Sequence, residues 1–264
     1  MRVSFTLRYF ATLLTILTLS GCHRRPSFEV LPPQELFRHS VDLYNRGKYL
    51  DASDGLDFFT INYGGHALVD SAQYYLGMSH YQMKEYIIAS DAFDQLTRRF
   101  PNSSLVPEAM FMVGECYREL SPNYPLDQTY TEKAIDAYQA FIDYYPEYRD
   151  WVQKAQKAIS ECREKLAHKV FANGVIYLKM KDFTAASIYF QEVLDRYYDT
   201  PWAAEAAFES GVSLAAAGKK GEALTAYRTY LEKYPAHKRH DEAIKAVEIL
   251  LKPPEEEKTL PLND

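Results

Sequence analysis

The thirty residues AAFESGVSLAAAGKKGEALTAYRTYLEKYP, positions 206–235, read as two short helices joined by the turn Gly218-Lys219-Lys220-Gly221. Gly211 is a small residue on the first helix. Ala223 follows twelve positions later on the second, Tyr227 four after that, and Pro235 eight after Tyr227. Each spacing has a mechanical reason. A small residue where two helices cross lets their backbones approach, and the later aromatic fills the space between neighbouring hairpins. Proline ends the second helix because it lacks an N–H and clashes with the preceding turn.

Working outward, the same pattern recurs through the chain. Small residues stand at Ser40, Gly77, Gly114 and Gly174; alanines follow at Ala52, Ala89, Ala134 and Ala186. Leu56, Phe93, Tyr138 and Phe190 come four residues after those alanines, and Gly64, Pro101, Pro146 and Tyr198 eight residues further on. The gap from small residue to alanine is twelve in four repeats and twenty in the third. A fixed period of this kind is the mark of a repeat array. It resembles the tetratricopeptide (TPR) pattern, with a period of 37 in most of the chain. The resemblance implies an all-α fold, a superhelical stack of five TPR-like helix-turn-helix repeats with a C-terminal capping helix.

The departures from the period are informative. Eight extra residues in SPNYPLDQT (121–129) predict a protruding loop in the third repeat. Fifteen extra residues precede the fourth repeat, and Asp150 to Lys179 contains no proline and one glycine, so a single long helix is expected there. Tyr198 stands where the other repeats carry a breaker, predicting a less rigid turn. RHDEAIKAVEILL (239–251) reads as the cap of the stack. The repeat domain then spans 34–251, with N-terminal repeats over 34–146 and C-terminal repeats over 150–251, and 252–264 reads as a disordered tail.

The first 21 residues read as an address. Arg2 and Arg8 precede a short apolar run, Tyr9 to Leu19, about half of the roughly 20 residues that a membrane-spanning helix needs. This is the layout of an export signal. Leu19-Ser20-Gly21-Cys22 resembles the lipobox of bacterial lipoproteins, which implies cleavage between Gly21 and Cys22 and lipid attachment to the Cys22 sulfur. Acyl chains contribute about 0.8 kcal/mol per buried CH₂, so a multiply acylated cysteine anchors stably. His23 after the cysteine favours, by the same resemblance, the outer membrane. Residues 22–33 read as lipid anchor and tether.

Composition narrows the function. Removing residues 1–21 takes the net charge from −6 to −8, with no long Lys/Arg run, so nucleic-acid binding is not expected. Three cysteines make no disulfide-stapled framework; Cys116 and Cys162 read as buried small residues, with a disulfide between them permitted by an exported location. No nucleophile, phosphate-loop or metal-ligand motif is present, and His237 and His240 read as a solvated turn rather than a metal site. No catalytic residue, cofactor or metal is expected.

Surfaces remain. By resemblance to TPR proteins, the first helices carry ligand contacts. One row there is aromatic throughout (Phe37, Tyr74, Phe111, Phe171, Phe208) and argues mainly for core packing. Rows four and seven residues further on vary, and only the N-terminal part offers tyrosines, Tyr44 and Tyr81, and a flexible methionine, Met78. Together with Tyr74 and, on the polar rim, Arg118, they outline a candidate groove for an extended peptide.

Lipobox, tether, five repeats, third-repeat insertion and long central helix together resemble the BamD (ComL/YfiO) family, lipoproteins of the outer-membrane β-barrel assembly (BAM) machinery. The similarity is strongest over 130–208, where EVLDRYYDTPWAAEA (192–206) follows the family pattern apart from Tyr198 in place of proline. The resemblance implies a non-catalytic scaffold, lipid-anchored at the outer membrane through Cys22 and facing the periplasm. Its implied partners are the POTRA region of BamA, other BAM subunits and unfolded outer-membrane β-barrel proteins. It places BamA contact around Asp195, Arg196 and Asp199, and substrate peptide at Tyr44, Tyr74, Met78, Tyr81 and Arg118. The alternative is a TPR lipoprotein of another envelope complex, a division or peptidoglycan coordinator of the CpoB/YbgF type or a secretin pilot. The absence of heptads over 23–68 disfavours the coordinator.

Overall fold

The computed structural model describes residues 31–252. The expected signal, lipid-anchored Cys22 and tail from 253 lie outside the described residues. Within them the chain forms eleven α-helices and no strand. It divides into two compact units, before and after the Lys84–Glu85 junction.

The first unit holds α1 (Pro33–Asn45), α2 (Tyr49–Asn62) and α3 (Val69–Gln82). Each packs on the next, and α1 also touches α3. Leu36, Ala52, Leu56 and Phe59 are fully buried between them. Ser40, the small residue of this repeat, is buried as well, and its hydroxyl has no hydrogen-bond partner.

The second unit holds α4 (Tyr86–Arg99), α5 (Val106–Leu120), α6 (Thr129–Tyr144), α7 (Arg149–Lys179), α8 (Phe183–Arg196), α9 (Trp202–Ala216), α10 (Lys220–Lys233) and α11 (His240–Leu251). Consecutive helices pack together, and α5 meets α7 as α7 meets α9. The expected long helix is α7, 31 residues or about 46 Å. Its first half packs Ala155, Ala158 and Cys162 with Phe111, Tyr138 and Phe141, and its second half packs Leu166 and Ala167 with Phe190 and Val193. At the end of the unit, α11 buries Ala243 against Phe208, Tyr227 and Tyr230, and leaves Ile249 and Leu251 exposed.

The small–aromatic pairing reads directly in the geometry. A Cβ on Gly114 would lie 2.7 Å from the Tyr138 ring, and one on Gly211 would lie 2.7 Å from the Tyr227 ring. In four repeats the first helix ends in a left-handed residue: Gly47 (φ 74°), Lys84 (φ 61°), Lys181 (φ 61°) and Gly218 (φ 76°). After Gly47 the Lys48 N–H reaches back to the Leu43 carbonyl, the hydrogen bond that closes such a C-terminus. Lysine in that conformation at 181 carries a steric cost that glycine avoids.

Between repeats one turn recurs five times. The carbonyls of Tyr63, Phe100, Tyr145, Tyr197 and Tyr234 accept the backbone N–H three residues on, from His66, Ser103, Tyr148, Thr200 and His237. Proline follows three of these aromatics and forces them out of the helical conformation. Tyr197, followed by Tyr198, adopts the same C-cap (φ −131°, ψ 32°) as Tyr234 (φ −127°, ψ 55°). This turn therefore keeps the conformation of its neighbour without proline, and other contacts hold it.

Candidate functional site

In the first unit the structure gathers tyrosines. Tyr44 on α1 packs its ring 5.4 Å from Tyr75 and 5.5 Å from Tyr49, and Tyr75 lies 5.7 Å from Tyr74. Phe37 closes on Tyr75 from the other side at 6.3 Å. Tyr44 and Tyr74 are thus joined through Tyr75, which lies on none of the repeat rows although it is next to Tyr74. Tyr74 is buried, whereas Tyr44, Met78 and Tyr81 are half-buried. Arg118 belongs to the second unit. There its guanidinium lies 2.6 Å from Glu115 and 3.2 Å from Glu119, and the Tyr138 hydroxyl donates to Glu115 at 2.5 Å. The hydrogen bond to Glu115 holds the Arg118 cation, and burial with the same carboxylate pushes the Tyr138 phenol up. Of the aromatic row, Phe111 and Phe208 are buried with Tyr74, and Phe37 and Phe171 are half-buried.

Asp195, Arg196 and Asp199 sit at the end of α8 and the turn after it, and each is already engaged. Asp199 receives Arg163 from α7 in a two-pronged contact, Nε at 2.9 Å and Nη2 at 2.6 Å. The same Nη2 donates to the Arg196 carbonyl at 2.7 Å. Thr200 adds its N–H and hydroxyl to the Tyr197 carbonyl. These bonds replace what proline does elsewhere. Arg196 pairs with Glu192 at 2.8 Å, and Asp195 accepts from Gln191 at 2.8 Å. The Arg163 hydrogen bonds hold the Asp199 carboxyl below its ordinary range.

Asp195 also stands on the rim of a groove of about 470 Å³ between α8 and α10, with Leu194, Ala207 and Leu214 toward its floor and the exposed Tyr198 at its edge. No periodic signal in the sequence marks this groove, because its lining alternates between three helices.

The segment expected to protrude, 121–129, instead runs along α7 over residues 121–128. Gln128 is buried and donates to the carbonyls of Asn123 and Leu126; Lys165 reaches the Ser121 hydroxyl at 2.7 Å and Lys169 the Leu126 carbonyl at 2.7 Å. Tyr124 stacks 3.6 Å from His168, whose other face stacks 4.0 Å from Trp202. The Ser121 hydroxyl and the Leu126 carbonyl each accept a lysine of the helix, and this is why the insertion does not stand away.

Two further expectations are corrected or sharpened. His237 is half-buried rather than solvated, with Nδ1 2.7 Å from the Tyr230 hydroxyl and Nε2 3.6 Å from Glu205. Cys116 and Cys162 are buried free thiols. No group of three or more His, Cys, Asp or Glu among the described residues could hold a metal ion, and no helix among them is long and apolar enough to cross a membrane.

Comparison with known families settles the class. A model of the YfiO outer membrane lipoproteins matches residues 30–216, well over half of the chain. The chain belongs to the YfiO family of outer membrane lipoproteins. A tetratricopeptide repeat model matches residues 205–237, the stretch that contains Gly211 and Tyr227. Solved structures similar to this YfiO-family chain include TPR proteins. One from Bacteroides fragilis is 16% identical, with 83% of this chain and 97% of that chain covered and a TM-score of 0.44. The TPR2AB-domain:pHSP90 complex of yeast Sti1 is 16% identical, with 82% and 83% covered and a TM-score of 0.38. A TPR protein of Thermus thermophilus is 19% identical, with 84% and 100% covered and a TM-score of 0.35. No curated protein matches. The YfiO-family chain is thus an outer membrane lipoprotein built as a TPR-like helical stack, the architecture of a protein-interaction scaffold.

Proposed function

We propose that this protein is the non-catalytic scaffold lipoprotein of a β-barrel assembly complex, docking on BamA and helping to receive and insert unfolded outer-membrane proteins. The observation that carries the reading is the YfiO family match across 30–216, together with the helical stack. In this reading acylated Cys22 anchors the chain, and the repeats face the periplasm. The tyrosine cluster of the first unit, with Tyr44, Tyr74, Met78 and Tyr81, belongs to the receiving surface for an extended chain ending in an aromatic. The α8 end, with Asp195, Arg196 and Asp199, belongs to the BamA contact. Because Arg163 already occupies Asp199, that residue acts there by shaping the turn, whereas Asp195, bonded to Gln191 of its own helix, is exposed on the groove rim.

A crosslinked pull-down from native membranes tests this, with tagged full-length protein beside Cys22→Ala. Recovery of a POTRA-containing barrel protein, lost with Cys22→Ala, is the expected result. Recovery of division or peptidoglycan proteins without that barrel replaces the reading with a scaffold of another envelope complex. For the receiving surface, Tyr44→Ala with Tyr81→Ala is expected to weaken binding of an aromatic-ended barrel peptide, and unchanged binding removes that assignment.

A further inference from the structure

α11 closes the second unit with little apolar burial. Ala243 is its one buried residue, Ala246, Val247 and Leu250 are partly covered, and Ile244, Ile249 and Leu251 are exposed. The polar contacts that fix it lie at its start. In the turn that leads into it, His237, Lys238 and Arg239 all reach Glu205 of α9, at 3.6, 2.5 and 3.7 Å. Arg239 also meets Glu209, four residues further along α9, at 2.5 Å, and Glu242 of α11 at 3.3 Å. Its guanidinium carbon stands 3.6 Å from the centre of the Phe208 ring. Glu205 and Glu209 are largely buried, with side chains 18% and 15% exposed. At the far end of α11 the contact is longer, Lys220 Nζ lying 3.4 Å from the Lys252 carbonyl.

We propose that α11 is a latched cap, which opens as one unit while α9 and α10 stay folded. Segments with few buried apolar contacts open below the free energy of global unfolding, and α11 is such a segment. The ion pairs set how often it opens. Lifting the turn parts Lys238 and Arg239 from Glu205 and Glu209 together. Two largely buried carboxylates then lose their cations, which is a costly state inside a fold. Closed, the cap packs on Phe208, Tyr227 and Tyr230, whose rings lie 5.5 Å apart on either side of Phe208. Open, it uncovers that aromatic face. Access to the face is therefore governed by charge pairs on its rim more than by apolar packing. This holds whichever partner the scaffold serves.

Hydrogen–deuterium exchange of the full-length protein, read by mass spectrometry, tests the latch. In wild type, peptides within 240–251 are expected to exchange at least about tenfold faster than peptides within 202–233. Glu209→Gln removes the charge nearest Arg239. It should speed exchange over 240–251 by about tenfold again and leave 202–233 at its wild-type rate. Lys238→Ala alters a side chain that is 73% exposed, so it decides the matter if Glu209→Gln fails to fold. A several-fold rise confined to 240–251 is expected there. Exchange of 240–251 at the rate of 202–233 in wild type overturns the proposal. So does a rise shared by both regions, or an unchanged rate over 240–251 in the folded variants.

Discussion

A Cβ built on Gly174 of α7 would stand 2.6 Å from Cε1 of Phe190 on α8. Phe190 is fully buried and is wedged among Leu166, Val193 and Tyr197, so its ring has nowhere to retreat. Gly174→Ala is expected to destabilise the second unit by about 1–3 kcal/mol, the range for overpacking a filled core. The sign is diagnostic. At an exposed helical position the same change stabilises by up to about 1 kcal/mol through helix propensity. Urea titration of the two proteins distinguishes these outcomes.

The Arg163–Asp199 bridge holds the one inter-repeat turn of the second unit that lacks proline after its aromatic. Asp199→Asn is expected to cost about 1 kcal/mol, because the geometry is two-pronged but the carboxylate is partly exposed. The pH dependence has a definite sign. Arg163 lowers the folded-state pKa of Asp199, so the stabilisation is complete above the ordinary carboxylate range and is lost as pH falls through the lowered value. Thermal unfolding between pH 6 and pH 3 should therefore fall more steeply for wild type than for Asp199→Asn.

His168, stacked between Tyr124 and Trp202, has its pKa lowered by burial. The charged groups around it are Glu161, Glu164 and Lys165 of the same helix, and the insertion contributes the neutral ring of Tyr124. A lowered folded pKa means that the stack is fully formed above about pH 6.5 and loses stability as pH falls through the folded value. In a Trp151→Phe background, Trp202 fluorescence should titrate with a midpoint below that value, and the transition should vanish in His168→Gln.

Burial pushes the Cys116 thiol up to about 12 and the Cys162 thiol upward too. The thiolate is the reactive species. Neither cysteine is expected to react with maleimide at neutral pH in the native state, and both should react in denaturant. Rapid native labelling of Cys116 would show that α5 opens locally.

Much of this architecture was legible because glycine and large aromatics leave little freedom. Gly114, Gly174 and Gly211 each face one particular ring, and the spacing of the two residue types states which helices cross. The long α7 was readable for a similar reason, since nothing between Asp150 and Lys179 interrupts it. What escaped the sequence was set by distant polar partners. Arg163 and Asp199 are 36 residues apart and share no period with anything. Gln128 looked like part of a solvated loop, yet it closes the insertion onto its own carbonyls. Tyr75 was hidden beside Tyr74, because the candidate surface was read along repeat rows and not across them. The groove on α8–α10 was invisible for the same reason, being made from the seams between rows.

The continuity of α7 gives the protein a phase. A helix turns about 100° per residue, so inserting or deleting one residue between Cys162 and Leu166 would swing one end against the other by that angle. Phe111 and Tyr138 would keep their contacts with the first half, while Gly174 would no longer face Phe190. Length variation among related chains should therefore spare 149–179 and collect in the turns, or, within α7, come in steps of seven residues, close to two whole turns.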